Sequence, residues 1–251
     1  RDTASFEQAL AAARQRLTPH AFPLQIPIGS GETLRGLVDL LDRRALIWAN
    51  GNEEPAEQPI PDELAEPVER ARAALVDAIC ETDEALFELR LEGREPELPA
   101  LRSALRRAVI SGQITPVLCG SARRRIGIQP LLDAIAAYLP APLDAPPAAG
   151  EQPGGLPAVR APDPAEPFCA SVFKIVADPH AGHLAWARVF SGRLALGDAV
   201  LNPRTNDIER VGRIYRIHAN RREHITGMQA GDVVALVGIK SAVTGDTLCQ
   251  P

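Results

Sequence analysis

ITPVLCGSA, residues 114–122, is a continuous apolar run that ends in three small residues. Such runs are typical of strands that are buried on both faces of a parallel sheet, and Pro116 marks the start of the strand. Apolar residues then recur at helical spacing from Ile128 until Pro140, which ends the helix. This order of strand, turn and helix predicts an α/β layer.

The turn after the predicted strand is the first candidate binding site. Ligands of open α/β sheets bind beyond the carboxyl ends of the strands, where Gly120, Ser121 and Ala122 are expected. Small residues let a flat base approach the backbone, and an exposed amide can donate to a base carbonyl. The same three residues also suit an ordinary turn, so the pattern alone leaves both interpretations open.

Upstream of this stretch the sequence mixes helical and strand patterns. The predicted elements are helices over 6–17, 62–81 and 98–109, and short antiparallel strands within 22–29 and 34–48. Gly112 suits the left-handed cap of the third helix. Acidic residues lie outside the apolar stripe of the second helix, which predicts an acidic outer face.

A stretch rich in Pro, Ala and Gly, residues 140–167, predicts a linker or an irregular strap. We therefore expect one domain over 1–140, a linker over 141–166 and a second domain over 167–251. The second domain contains short β-rich runs separated by Gly, Asp, Asn or Pro, with no helical period, which predicts an all-β barrel.

Composition and charge indicate a cytoplasmic protein whose two parts have different partners. No apolar run approaches the roughly 18 residues that cross a bilayer, and the first residues lack a signal pattern. Residues 1–164 carry 17 arginines against 24 acids, whereas residues 165–251 carry 10 basic residues against 8 acids.

The cysteines and histidines do not predict a metal site. Cys80, Cys119, Cys169 and Cys249 follow neither a disulfide framework nor a metal-binding spacing, so we expect buried free thiols. His180 and His183 have no matching second pair and are expected to be loop histidines.

Arginines of the second domain form a candidate nucleic-acid contact, since a guanidinium binds phosphate through a planar fork of donors. They are Arg210, Arg213, Arg216, Arg221 and Arg222. Alternatively, Glu209 and Glu223 pair with some of them on a solvated face.

Taken together, several motifs resemble bacterial elongation factor G over nearly the whole chain. They are GSA at 120–122, YLPAP at 138–142, RVFSG at 188–192, HANRRE at 218–223, AGD at 230–232 and TGDTL at 244–248. The barrel motifs occur in the order and at the spacing of that family. Arg1 and Phe6 are similar to the residues that follow its guanine-specific Asn-Lys-x-Asp motif.

The resemblance implies a fold, a site and partners. The fold would be part of a P-loop GTPase domain with an inserted α+β subdomain at about 20–112, followed by a β-barrel of the translation-factor type. Gly120, Ser121 and Ala122 would contact guanine, with the Ala122 amide as donor. A ribosome would be the partner, through small-subunit rRNA at the barrel and the stalk protein at the inserted subdomain, with the protein a monomer.

The sequence has no phosphate-binding loop of the form G-x-x-x-x-G-K-[ST], and its only lysines are Lys174 and Lys240. We therefore expect a fragment of a GTPase that has no catalytic residue and no bound cofactor of its own. The intact protein would use GTP or GDP with Mg²⁺, and hydrolysis would drive movement of tRNA and mRNA.

Two departures from the family pattern leave the parent protein open. Arg123, Arg124 and Arg125 follow Gly-Ser-Ala in place of the usual Phe and lysine-bearing loop, and DPHAGHL at 178–184 replaces DPFVGNL. The parent is either the translocase or a divergent paralogue. The sequence also allows a ribosome-protection or release-factor type GTPase, or a non-enzymatic ribosome-binding or RNA-binding module.

Overall fold

Two units divide the chain at Leu139 and Pro140 in the computed structural model, which describes residues 5–49, 54–152, 155–178, 182–219 and 221–251. The helices of the first unit are α1 Phe6–Arg16, α2 Ala65–Cys80, α3 Glu84–Leu91, α4 Leu98–Ile110 and α5 Ile128–Tyr138. Its strands are β1 Ala21–Pro23, β2 Gln25–Ile28, β3 Gly36–Asp39, β4 Arg44–Ile47, β5 Ala56–Gln58 and β6 Thr115–Val117.

The predicted helices are confirmed, and their ends have local causes. Ser5 caps α1 by accepting a hydrogen bond from the Gln8 amide at 3.3 Å. Gly112 adopts φ 76° just beyond α4, as the left-handed cap requires. Helix α3 was not predicted; it begins after Asp83, whose carboxylate accepts a hydrogen bond from the Leu86 amide at 3.1 Å. This bond and Arg107 lower the pKa of Asp83.

The strands predicted within 22–29 and 34–48 form the antiparallel sheet β2-β3-β4-β5. Gln25 lies opposite Asp39, and Gly36 lies opposite Ile47. The Asp39 carboxylate accepts from the Leu41 amide at 2.9 Å and so tightens the turn between β3 and β4. The sequence pattern did not separate β1 from β2, and these two strands belong to different sheets.

β1 pairs in parallel with β6, so the parallel pairing is confirmed. The expectation that β6 is buried on both faces is wrong, because Thr115 is exposed and Pro116 and Val117 are only half-buried. The cause is the small size of the layer, which contains β1 and β6 alone within the described residues.

Helices α2 and α4 and the sheet β2-β3-β4 enclose the core of the first unit. Its fully buried side chains include Val38, Leu40, Leu75, Ile79, Leu101 and Leu105. In contrast, the apolar stripe of α5 is largely open: Leu132 is 58% exposed and Ile135 is 45% exposed. The sequence predicted this helix correctly, but a stripe of that kind is normally covered.

The second unit consists of strands within the described residues, apart from a 3₁₀ turn at Pro142–Asp144. They are β7 Ala148–Glu151, β8 Pro157–Arg160, β9 Cys169–Asp178, β10 Gly182–Ser191, β11 Arg193–Ala195, β12 Ala199–Asn202, β13 Asp207–Arg210, β14 Arg213–His218, β15 Arg221–Ile225, β16 Gly227–Gln229, β17 Val233–Val237 and β18 Thr247–Cys249. β7 and β8 form a hairpin within the segment that was expected to be irregular.

Eight strands form one row in the order β13-β12-β18-β9-β10-β17-β14-β15. β13 and β14 are separated in the chain by only Val211 and Gly212, yet they pair with β12 and β17 at distant points of the row. The Gly212 amide donates to the Val237 carbonyl at 2.8 Å across this junction. The row therefore closes on itself, and the predicted barrel is confirmed.

Apolar side chains of this row fill the barrel, among them Ala170, Val172, Val189, Ile214, Leu236 and Leu248.

The four cysteines are free, but only Cys80 is buried. The expectation of buried thiols is wrong for Cys119, Cys169 and Cys249, which are half-buried. No helix among the described residues is long and apolar enough to cross a membrane.

Candidate functional site

The turn after β6 is a tight loop that closes immediately before α5. Ser121 and Ile126 bond to each other through both backbone groups, at 2.9 and 3.1 Å. The Ser121 hydroxyl accepts from the Arg124 amide at 3.4 Å, and the Arg125 amide donates to the Ala122 carbonyl at 3.2 Å. These bonds fix the backbone of Ala122 at the carboxyl end of a parallel strand.

Two glycines allow the base of this turn to pack closely. A Cβ atom on Gly120 would lie 2.6 Å from the Ile126 carbonyl oxygen. A Cβ atom on Gly127 would lie 2.7 Å from the Cys119 carbonyl oxygen, and Gly127 also has φ 80°. Only glycine fits both positions without displacing the backbone.

The Ala122 amide is available to a ligand. Gly120 and Ala122 are exposed and Ser121 is half-buried. The Ala122 amide donates no hydrogen bond to any residue that the structure describes. The three residues predicted as a guanine contact are therefore contiguous and accessible, and the amides of Gly120 and Ala122 both lack an acceptor among the described residues.

The residues that connect this turn to neighbouring elements by hydrogen bonds were not predicted from the sequence. The Arg124 guanidinium donates to the carbonyls of Gly31 and Glu32, at 3.3 and 2.8 Å, and so links the turn to the loop between β2 and β3. The buried side chain of Gln25 accepts from the Cys119 amide at a long 3.5 Å. The only signal for Arg124 was its place in a run of three arginines.

The predicted barrel arginines lie on and beside one hairpin. Arg213 and Arg216 are on β14, Arg221 and Arg222 are on β15, and Arg210 ends β13. Ile217 lies opposite Arg222, and Arg216 lies opposite Glu223. Since side chains alternate along a strand, Arg213 and Arg222 share one face of the hairpin, whereas Arg216 and Arg221 share the other.

Barrel residues already engage three of these arginines. Arg222 pairs with Asp178, which raises the pKa of Arg222. Arg216 lies 3.6 Å from Asp232, and Arg210 donates to the Gly197 carbonyl at 3.1 Å. Arg213 and Arg221 are exposed and have no carboxylate partner among the described residues. Glu209 binds the backbone of Lys240 and Ser241 instead of an arginine.

Two planar side chains lie between the arginines of one face, and they were not among the sequence candidates. Tyr215 and His224 lie opposite each other, with ring centroids 5.8 Å apart in an edge-to-face arrangement. They occupy the face of Arg213 and Arg222. This face therefore offers both guanidinium groups and rings.

The acidic helix α2 is partly neutralised. Glu66 pairs with Arg70, Glu69 with Arg43 and Asp77 with Arg90. Asp62, Glu63 and Glu81 have no basic partner among the described residues. The free acids therefore cluster at the two ends of the helix.

The remaining sequence candidates form no site among the residues that the structure describes. Arg1, His180 and Asn220 lie outside the described residues. His183 is exposed on β10, so its expected place in a loop is wrong. The described residues contain no group of three His, Cys, Asp or Glu side chains that could hold a metal ion.

The fold is thus an α/β layer with an inserted antiparallel sheet, followed by a β-barrel of the translation-factor type. Residues 167–251 match the family model for elongation factor G domain 2. The chain is 41% identical over 249 residues to elongation factor G of Fervidobacterium nodosum, which covers 98% of this chain and 36% of that protein. The chain is thus similar to elongation factor G along nearly its whole length.

A solved structure is similar over the same extent. The crystal structure of a protein from Thermus thermophilus matches all of this chain and 35% of its own length, with a TM-score of 0.80 and 31% identity. The chain thus spans about a third of the length of these relatives.

Proposed function

We propose that this chain is part of a ribosome-dependent GTPase that moves tRNA and mRNA during translation elongation. The observation that carries the proposal is the exposed, unpaired Ala122 amide at the carboxyl end of β6. The similarity to elongation factor G supports the same role. The domain boundaries that we propose for it remain 1–140, 141–166 and 167–251.

Guanine is the base that this turn suits best. The guanine carbonyl oxygen can accept a hydrogen bond from the Ala122 amide. Adenine has an amino group in the same position, so two hydrogen-bond donors, this amino group and the Ala122 amide, would face each other. An unpaired donor at a desolvated contact costs about 1–3 kcal/mol, enough to discriminate between the bases. Gly120 and Ser121 leave room for the plane of the base.

GTP or GDP with Mg²⁺ is the ligand that we propose for the intact protein, in which GTP would supply the phosphoanhydride bond that is hydrolysed. Within these 251 residues we assign only Gly120, Ser121 and Ala122, which hold the base. We assign no residue of this sequence to the phosphates or to Mg²⁺, and we propose that the chain alone does not hydrolyse GTP.

Replacing Ala122 by proline removes the proposed donor. We expect GDP affinity of the intact protein to fall by about 10- to 100-fold, which corresponds to one lost hydrogen bond of about 1.4–3 kcal/mol. Calorimetric titration with GDP measures this effect, and circular dichroism checks the fold. Ala122→Ser keeps the amide and is the matched control. Unchanged GDP affinity in Ala122→Pro would contradict guanine recognition by this amide.

A ribosome-dependent GTPase assay with a translocation readout tests the wider proposal on the intact protein. Turnover with translocation supports the translocase. Turnover without translocation would favour a ribosome-protection or release-factor type protein. No turnover would favour a non-enzymatic ribosome-binding module.

The β14-β15 hairpin is our proposed contact with small-subunit rRNA. Arg213 and Arg221 are the first candidates, because they are exposed and have no acidic partner among the described residues. Arg210, Arg216 and Arg222 would have to exchange a partner within the barrel for a phosphate. Tyr215 and His224 offer rings beside Arg213, where an unpaired base could stack.

Replacing Arg213 and Arg221 together by alanine should weaken ribosome binding and reduce its dependence on salt. Each lost phosphate contact lowers the slope of log affinity against log salt by about one. Binding of the intact protein to ribosomes at several salt concentrations measures that slope. Arg193→Ala, on β11 in the same barrel, removes one positive charge and is the control for the single variants Arg213→Ala and Arg221→Ala. An unchanged slope in the double variant would exclude these two contacts.

We also propose that the inserted subdomain, about 20–112, docks the ribosomal stalk protein. The unpaired acids at the ends of α2, Asp62, Glu63 and Glu81, are the charges available to a basic partner. A monomeric cytoplasmic protein is consistent with this role.

A further inference from the structure

Two cysteines far apart in the sequence lie directly opposite each other in the barrel. β9 and β18 are antiparallel, and their register pairs Cys169 with Cys249 and Ser171 with Thr247. Both thiols are free and half-buried. Burial raises the pKa of both thiols, while the nearby Arg160 guanidinium opposes that shift.

The neighbouring hydrogen bonds show whether Cys169 and Cys249 are a hydrogen-bonded or a non-hydrogen-bonded pair of the antiparallel ladder. The Gln250 amide donates to the Phe168 carbonyl at 3.1 Å, and the Val172 amide donates to the Asp246 carbonyl at 2.8 Å. Hydrogen-bonded and non-hydrogen-bonded pairs alternate along antiparallel strands, so Cys169 and Cys249 form a non-hydrogen-bonded pair. Opposite Cα atoms of such pairs lie about 4.5 Å apart, within the range of about 4.4–6.8 Å that a disulfide spans.

Both cysteines face away from the barrel core. Their neighbours Phe168, Ala170 and Leu248 are buried in that core. Because side chains alternate along a strand, Cys169 and Cys249 lie together on the outer face, where a small oxidant can reach them.

We propose that Cys169 and Cys249 are a redox modification site that closes to a reversible disulfide in the presence of a hydroperoxide. One thiolate attacks a peroxide oxygen: an S–O bond forms, the O–O bond breaks, and the leaving hydroxide or alkoxide takes up a proton. The second thiolate attacks the resulting sulfenic sulfur, an S–S bond forms, and hydroxide leaves to become water. Two electrons pass from the thiols to the peroxide, and a dithiol reverses the reaction.

The disulfide would fasten β18 to β9 and enclose β10 to β17 in one covalent loop. Long loops lose much conformational freedom in the unfolded chain when they are closed. We expect the thermal midpoint of the barrel to rise by about 8 °C or more after oxidation and to return after reduction.

Treatment of the chain with hydrogen peroxide, followed by tryptic digestion without reductant and mass spectrometry, tests the site. We expect peptide 161–174, which carries Cys169, to be linked to the peptide that begins at Ser241 and carries Cys249. Dithiothreitol should release the two peptides, and Cys169→Ser should abolish both the link and the thermal shift.

A matched control uses the next non-hydrogen-bonded pair on the same face. Ser171→Cys with Thr247→Cys, combined with Cys169→Ser and Cys249→Ser, places two thiols in the same geometry. Absence of the 161–174 link in the wild-type digest overturns the proposal, whether or not the control pair becomes linked. Cysteines found only as sulfinic acids overturn it equally. The GTPase assay is independent of this result.

Discussion

Gly127→Ala is expected to destabilise the first unit by about 3 kcal/mol or more and to abolish tight GDP binding by the intact protein. The added Cβ would lie 2.7 Å from the Cys119 carbonyl oxygen and 3.2 Å from Gly120 Cα, both of which are backbone atoms. A φ of 80° adds strain for any residue with a side chain. The turn that presents the Ala122 amide must move to relieve both.

The variant Gly112→Ala separates the cost of the positive φ from the cost of the close Cβ contact. Gly112 has nearly the same φ, 76°, but an added Cβ meets nothing within 4 Å. We expect it to lose only about 1 kcal/mol and to leave GDP affinity unchanged. Urea unfolding and GDP titration measure both variants. Equal losses in the two would show that backbone strain alone matters and that the close packing of Gly127 does not.

Asp246→Ala is expected to cost the barrel about 2–3 kcal/mol. This buried carboxylate accepts from Asn202 Nδ2 at 2.8 Å, from Arg204 Nε at 2.7 Å and from the Val243 amide at 2.9 Å. Removing it leaves a buried amide without its acceptor. Thermal unfolding measures the loss, and the exposed Asp207→Ala is the control, with a change of about 0.5 kcal/mol or less.

Acid titration gives a second readout of the same group. The Arg204 guanidinium, with the Val243 amide and Asn202, lowers the pKa of Asp246 from 3.8 to about 2. Because the pKa is lower in the folded state, this stabilisation of about 2 kcal/mol is present above pH 3.8 and is lost as pH falls through 2. The difference in stability between wild type and Asp246→Ala should therefore shrink across this interval. A constant difference would refute the assignment.

Local signals in the sequence were enough to predict most of the secondary structure. Proline and glycine at helix ends and alternation in the strands depend on nearby residues, and Gly112 behaved as its position indicated. Burial was harder to predict, because it depends on what covers an element. The run at Thr115 to Val117 and the stripe of α5 have the composition of covered surfaces, yet both are substantially exposed in this chain.

The three residues of the candidate turn could be named from the sequence, but their supports could not. Arg124 contacts carbonyls more than 90 positions earlier in the chain, and Gln25 reaches Cys119 across 94 positions. Contacts of that range follow from the insertion of one sheet into another layer. The pairing of Cys169 with Cys249 could not be predicted from the sequence either, because the register of two strands is a property of the folded barrel.

The junction of Val211 and Gly212 has a consequence for how the second unit comes apart. This short segment is bonded to both sides of the row, because the Val211 amide donates to the Asp198 carbonyl at 3.0 Å and the Gly212 amide donates to the Val237 carbonyl at 2.8 Å. The six inner strands of the row, from β12 to β14, each pair with two neighbours, so none of them can detach by losing one ladder alone. β13 and β15 each pair with a single strand of the row, so local unfolding is expected to begin at these two strands.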